Sequence, residues 1–298
     1  MDRRAAANNI ILNIAGRDRY DMILYPAMIA IVMLSYLSIF SLYIASLFSR
    51  YGTDVPREQM FGAFALLVMG VSIMLAVFYL LMTRNADHSA RESLLRKTMT
   101  AYIEASACVC GTDATPYIEK LRRMDARMDS EERMGNPRIL MMWIVLPALA
   151  GFLLIWTPAL RDNAVPVVIV SLLVSLVLAA VISPHATSFA SEHDKRTREF
   201  TAAFCDVCRS FDIKLVPTSR TVGYRSFKVF AVLTVVTLGF FSIYWVYLVF
   251  NDMNKHFLEQ WRFEDGLLRN VRSTEIACPV NIENDSGPAT DDAVLIIQ

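Results

Sequence analysis

By type and spacing, two close pairs of cysteines, Cys108 with Cys110 and Cys205 with Cys208, are the residues of this chain best suited to hold a soft metal. Thiolates bind zinc or an iron–sulfur cluster in sets of four, and Cys-x-x-Cys puts two sulfurs on one side of a helical turn. Cys-x-Cys does not, and neither pair carries the glycine or aromatic turn of a zinc knuckle. Two readings follow: a four-thiolate site shared by two segments, or small apolar side chains in a core. A second group is His88, His193 and His256, each of which falls shortly after a long apolar run. Imidazole is the commonest metal ligand and titrates near neutral pH, so a convergent ring of them could bind a metal or sense protons. A polar aromatic ring at a membrane interface explains the same positions.

Enzyme chemistry has no visible carrier. The chain lacks a Gly-x-x-x-x-Gly-Lys loop, a His-Glu-x-x-His pair and a Gly-x-Ser-x-Gly elbow. Asp125, Asp129, Glu131 and Glu132 alternate with Arg122, Arg123, Arg127 and Arg133, which reads as a solvated helix face laced with ion pairs.

The elements that must position these residues are membrane helices. Of 298 residues, 55% are hydrophobic and only 19% charged, too apolar for an ordinary soluble domain of this length. The 29 basic and 29 acidic residues cancel, leaving no basic excess that would point to nucleic acid. Five runs are free of Asp, Glu, Lys, Arg, Asn and Gln: Met22–Phe48, Met60–Met82, Ile139–Leu160, Ala164–Ile182 and Val229–Phe250. Each approaches the roughly 20 residues that carry a helix across about 30 Å of hydrocarbon. The expected fold is all-α: an integral membrane bundle of about five transmembrane helices with cytoplasmic amphipathic helical segments.

Basic residues near span ends stay on the cytoplasmic side. Four lie in the N-terminal segment, ten between the second and third runs and eight between the fourth and fifth, against Arg50, Arg57 and Arg161 in the two short connections. The N-terminus and both long loops are thus expected in the cytoplasm of a plasma membrane, and an odd number of crossings would put the acidic tail outside. The resulting division is an N-terminal segment and hairpin (1–82), a cytoplasmic segment (83–138), a second hairpin (139–183), a second cytoplasmic segment (184–228), a last span with an amphipathic extension (229–272) and an acidic, disordered tail (273–298). In the cytoplasmic segments Leu95, Met99, Tyr102, Ile103 and Ser106 follow the helical period, Gly111 offers a stop and Thr115-Pro116 a new start. Tyr117, Leu121, Met124 and Met128 share a spacing with Phe200, Phe204, Val207 and Phe211, so two apolar seams can pack together.

Ser171, Ser175, Ala179 and Ser183 form a small-residue face for close helix contact, within the bundle or between copies of the chain. No span carries Asp, Glu, Lys, Arg or His, which disfavours transport, although Ser35, Tyr36, Ser38, Ser41 and Tyr43 could line a pore.

The last run reads Thr237-Leu238-Gly239-Phe240-Phe241-Ser242-Ile243-Tyr244-Trp245-Val246-Tyr247, followed by Asp252 and Asn254. It resembles the Thr-Leu-Gly-Ile-Tyr-x-x-Tyr-Trp-x-Tyr signature, with a downstream Asp-x-Asn, of a family of small prokaryotic membrane proteins of unknown function; Phe240 and Phe241 replace its Ile and Tyr. The resemblance implies a prokaryotic membrane protein without assigned chemistry. From the residues alone, Gly239 suits the approach of a neighbouring helix, Tyr244, Trp245 and Tyr247 suit an interface, and Asp252 and Asn254 could tie down the helix end. The leading expectation is a non-enzymatic scaffold or interaction protein whose partners are the lipid bilayer and another membrane protein or a second copy, without a cofactor unless the cysteines hold a metal. A channel or transporter, and a cytoplasmic-face metal or redox sensor, are the alternatives.

Overall fold

The computed structural model describes residues 2–52, 56–132, 164–237 and 239–273, with a few positions between 139 and 150, and every regular element among them is helical. The elements are α1 (Arg3–Ala15), α2 (Arg17–Tyr20), α3 (Pro26–Tyr51), α4 (Arg57–Cys110), α5 (Thr115–Glu131), α6 (Ala164–Arg209), α7 (Phe227–Val236) and α8 (Phe240–Arg272). Most of the third apolar run and the tail beyond Ser273 lie outside the described residues.

Two helices, α3 and the apolar first half of α4, are long and apolar enough to cross a membrane. In α3 only 6% of the most apolar stretch is buried, so its side chains face outward, as lipid contact requires. Two tyrosines pair these helices. Tyr36 donates its hydroxyl to the Leu66 carbonyl at 2.7 Å, and Tyr43 donates to the Gln59 carbonyl at 3.1 Å. Both rings lie over glycines: a Cβ on Gly70 would collide with Tyr36, and one on Gly62 with Tyr43. Without water, a tyrosine hydroxyl needs an acceptor, and these glycines let the ring reach one on the facing backbone. The two rings considered as pore lining serve helix packing.

No break separates the apolar stretches of α4 and α6 from their extensions. α4 runs 54 residues through position 82, and α6 runs 46 residues through position 183, with Pro184 inside it. The amphipathic segments are the continuations of these helices. α4 stops at Gly111, which adopts the left-handed conformation at φ +63°, and α5 follows from Thr115. Met99, Ile103, Leu121, Phe200, Phe204, Val207 and Phe211 meet in one core, joined by Ala6 and Ile10 of α1 and by Phe263 and Leu267 of α8. The buried stripe of α5 is Ile118, Leu121 and Met128, turned one position from the expected seam, and Tyr117 is exposed. Asp125 and Glu132, expected on a solvated face, are buried against Arg96 and His193.

The last apolar run is not one helix. It breaks after α7 at a turn where Gly239 has φ +94°, and nothing lies within 4 Å of where its Cβ would be. Gly239 is therefore there for the left-handed turn and not for helix approach. α7 folds back on α8: the Phe227 and Trp245 ring centroids are 5.6 Å apart, and those of Phe230 and Phe241 5.5 Å. The rest of α8 returns beside α1 and the α4 extension, where Arg17 pairs with Asp265 at 2.7 Å and Arg91 with Glu264 at 2.8 Å.

The Gly70 contact is testable. Gly70→Ala should lower stability by about 1–3 kcal/mol through overpacking, and by much less in a Tyr36→Ala background. Thermal unfolding in detergent of the four-member cycle reads the coupling; equal losses in both backgrounds would remove the contact as the cause.

Candidate metal centre

Where α4, α6 and α8 leave the apolar zone, their side chains converge. His88 and Glu92 are one turn apart on α4 and so share a face; His193 comes from α6 and His256 from α8. All four are buried, and one ligand atom from each lies within 4.8 Å of the others. Tetrahedral bonds of about 2.0–2.2 Å to a common ion would place neighbouring ligand atoms roughly 3.3–3.6 Å apart, a few tenths of an ångström wider than the shortest pairs here. His88 Nε2 and His193 Nε2 are 3.0 Å apart, and Glu92 Oε2 lies 2.7 Å from His193 Nε2 and 3.5 Å from His88 Nε2.

The opposite edge of every imidazole is held by its own acid. His88 Nδ1 is 2.7 Å from Asp21, His193 Nδ1 is 2.9 Å from Glu132, and His256 Nδ1 is 3.1 Å from Asp194. The first and third are hydrogen bonds; the His193–Glu132 contact has ion-pair distance without hydrogen-bond alignment. A carboxylate on Nδ1 fixes the ring and leaves the Nε2 lone pair pointing inward, as in histidines that ligate metals. Glu92 is divided likewise: Oε1 accepts from Thr197 at 2.8 Å and faces Arg96 at 3.3 Å, while Oε2 faces the centre. Among the described residues, His256 Nε2 is buried without a hydrogen-bond partner, and buried Glu92 Oε2 has only its close contacts with His193 and His88, which lack hydrogen-bond alignment. Two imidazole nitrogens at 3.0 Å cannot both present lone pairs unless a proton or a cation sits between them.

Apolar rings wall the cluster. Phe189 stacks on His193 with centroids 5.2 Å apart, and Phe257 lies 4.5 Å from His88. Four carboxylates, Asp21, Glu92, Glu132 and Asp194, meet the histidines. Among the described residues, the guanidiniums touching them are buried Arg91 and Arg96 and the partly exposed Arg196, three against four carboxylates. The titration of the protein alone reflects this. Burial opposes protonation of His193, but Glu132 and Glu92 outweigh it and push its pKa up to about 10. Burial would raise Glu92, yet His193, His88 and Arg96 hold it well below the usual carboxylate range. His256 is lowered, chiefly by burial, against the pull of Asp194. The cluster thus calls for positive charge, which a proton or a metal cation can supply.

Three imidazoles and one carboxylate suit a divalent first-row transition ion and not calcium or magnesium, which take oxygen ligands. Of the residues singled out in the sequence, the histidines come together. The cysteines do not join them, and among the described residues the thiols form no converging group of three or more ligands. Cys205 and Cys208 are buried in the main core, where burial pushes the Cys205 thiol up to about 11 and raises Cys208 as well; Cys108 is exposed, and Cys110 packs partly buried against the same core. Ser183 is buried and Ser171 half-buried, while the side chains of Ser175 and Ala179 lie outside the described set. Trp245 donates to Thr187 at 3.2 Å, Asp252 binds Arg225 through both oxygens, and Asn254 donates to the Leu24 carbonyl at 2.7 Å. Tyr244 is exposed and its ring stacks with that of Tyr247. Glu92, Asp21 and Asp194 carry no such expectation from the sequence, and Glu132 reads there as part of a solvated face, although the His88-x-x-x-Glu92 spacing is itself a helical ligand pair.

Residues 225–263 match the family described as Domain of unknown function (DUF4234), a segment that covers α7, the signature residues and His256. His88, Glu92 and His193 lie outside it. No curated protein and no solved structure matches the chain.

The cluster is braced by Arg91, which binds Asp21 at 2.6 Å and Glu264 at 2.8 Å. Arg91→Met would take the buried guanidinium from both carboxylates, leaving Asp21 to His88 and Trp261 and Glu264 to Gln260 and the more distant Arg17, and should cost about 3 kcal/mol, whereas breaking an exposed pair should cost less than about 1 kcal/mol. Thermal unfolding of Arg91→Met beside Arg122→Ala, which breaks the exposed pair with Glu104, checks the contrast.

Proposed function

We propose that the chain is a multi-pass membrane protein whose extramembrane helices are held by a bound transition-metal ion, with a structural or sensory role and not a catalytic one. One observation carries this reading: His88, Glu92, His193 and His256 present buried ligand atoms within 4.8 Å, two of them without any other partner. Burial of all four and the flanking Phe189 and Phe257 favour a closed site over one that keeps a position open for substrate. The ligands join two helices that emerge from apolar segments to one that begins within the DUF4234 match, so occupancy would tie membrane-proximal elements together. The basic residues of the N-terminal segment and of the α4 and α6 extensions support a cytoplasmic location for the centre.

Protein purified without chelator should carry about one first-row ion per chain by elemental analysis, and chelator-treated protein should regain it from zinc or cobalt, with cobalt giving visible ligand-field bands. Rebinding at about 100 times the dissociation constant should add about 2.7 kcal/mol of stability. His193→Ala and Glu92→Gln should lose the ion, and Cys205→Ser with Cys208→Ser should keep it. A protein that neither carries nor takes up metal, or that retains it in the His193 and Glu92 variants, would sink the reading.

A further inference from the structure

The geometry points to a re-entrant hairpin: α7 and the first half of α8 enter a single leaflet of the bilayer from the side of the N-terminal helix, turn at Gly239 and leave on the same side. This inference is independent of the metal centre.

Length is the first reason. α7 has ten residues, so it spans about 15 Å, half of the roughly 30 Å that a crossing requires. The second reason is that the two arms close at a common base. The Phe227 and Trp245 rings meet at 5.6 Å, and Arg225 just before α7 binds Asp252 on α8 at 2.8 and 3.2 Å. A chain crossing the membrane between residues 227 and 250 would hold those groups far apart.

The turn itself carries the third reason. A loop in hydrocarbon must satisfy its own polar groups, because lipid offers none. Here the Gly239 amide donates to the Thr234 carbonyl at 2.7 Å and the Phe241 amide to Thr237 Oγ1 at 2.9 Å. The Thr237 and Ser242 hydroxyls in turn donate to the Leu233 and Gly239 carbonyls, at 2.8 and 2.6 Å. Around this turn the outward side chains are apolar and exposed: Val232, Val235 and Val236 of α7 and Phe240 of α8. Acyl chains are the partner such a surface fits, and its base is continuous with the apolar zone, since Trp245 bonds Thr187 of α6. α8 then rejoins the N-terminal side, where Asp265 meets Arg17. The end of α8 therefore lies on the same side of the membrane as α1.

Single cysteines at Ser219, Val236 and Ser273, in a chain whose native cysteines are alanine, test this with a membrane-impermeant maleimide on intact and inverted vesicles. Ser219→Cys and Ser273→Cys should react from the N-terminal side, and Val236→Cys should react about tenfold more slowly or worse from either side, because maleimide needs a thiolate in water. Should the alanine background not fold, the unaltered chain fused at its C-terminus to green fluorescent protein or to alkaline phosphatase decides: fluorescence with silent phosphatase is expected. Labelling of Ser219→Cys and Ser273→Cys from opposite sides, ready labelling of Val236→Cys from the far side, or active phosphatase would overturn the hairpin. Efficient disulfide cross-linking of Val236→Cys between copies would replace lipid with a second chain and overturn the assigned partner.

Discussion

Ionisable side chains can be buried only if each charge finds a partner, and the waist of this molecule is arranged around that constraint. Asp21 shows how much hangs on one carboxylate: it meets His88, Arg91 and Trp261, tying the approach to α3, the α4 extension and α8 into one network. Burial alone would raise its pKa, but His88, Arg91 and Trp261 hold it below the ordinary carboxylate value. Arg91 passes the connection to Glu264, and Arg96 repeats the pattern between Glu92 and Asp125. The apolar core of Phe200, Phe204, Phe211 and Leu121 can close beneath only because these charges are neutralised in place.

Much of this architecture is legible in the sequence, for physical reasons that differ by element. Apolar runs and basic flanks mark α3 and the first half of α4, and the 3.6-residue period marks their continuations, because each signal is local. Gly111 and Thr115 delimit α4 and α5 for the same reason. The convergence of His88, His193 and His256 is not local: more than sixty residues separate each from the next, and only the packing of three helices brings them together. Their supporting acids were harder still. Glu132 sits in a segment dense with exposed charges, and nothing in its spacing distinguishes it from Glu131, whose carboxylate pairs with Arg127 at the surface.

The last apolar run shows the opposite difficulty. Its 22 charge-free residues satisfy every compositional test for a span. The break depends on one glycine in a left-handed conformation and on two hydroxyls, Thr237 and Ser242, that cover the turn. Hydropathy averages do not register such features. The signature residues acquire distinct duties once the fold is known: Gly239 makes the turn, Trp245 stacks the two arms, and Asp252 fastens the base. All of them lie within the DUF4234 match, which in this chain takes in α7, the turn and the first part of α8.

The continuity of α4 has a mechanical meaning. Its 54 residues contain no proline and extend about 80 Å, of which only some 30–40 Å can lie in a bilayer. Such a rod is a lever with its fulcrum near His88, where the charged network grips it. A tilt of about 5° about that point would sweep the Cys110 end sideways by roughly 3 Å, since that end projects about 33 Å beyond the fulcrum. A small rotation at the gripped segment would thus reach the far end of the helix as a displacement on the scale of side-chain packing.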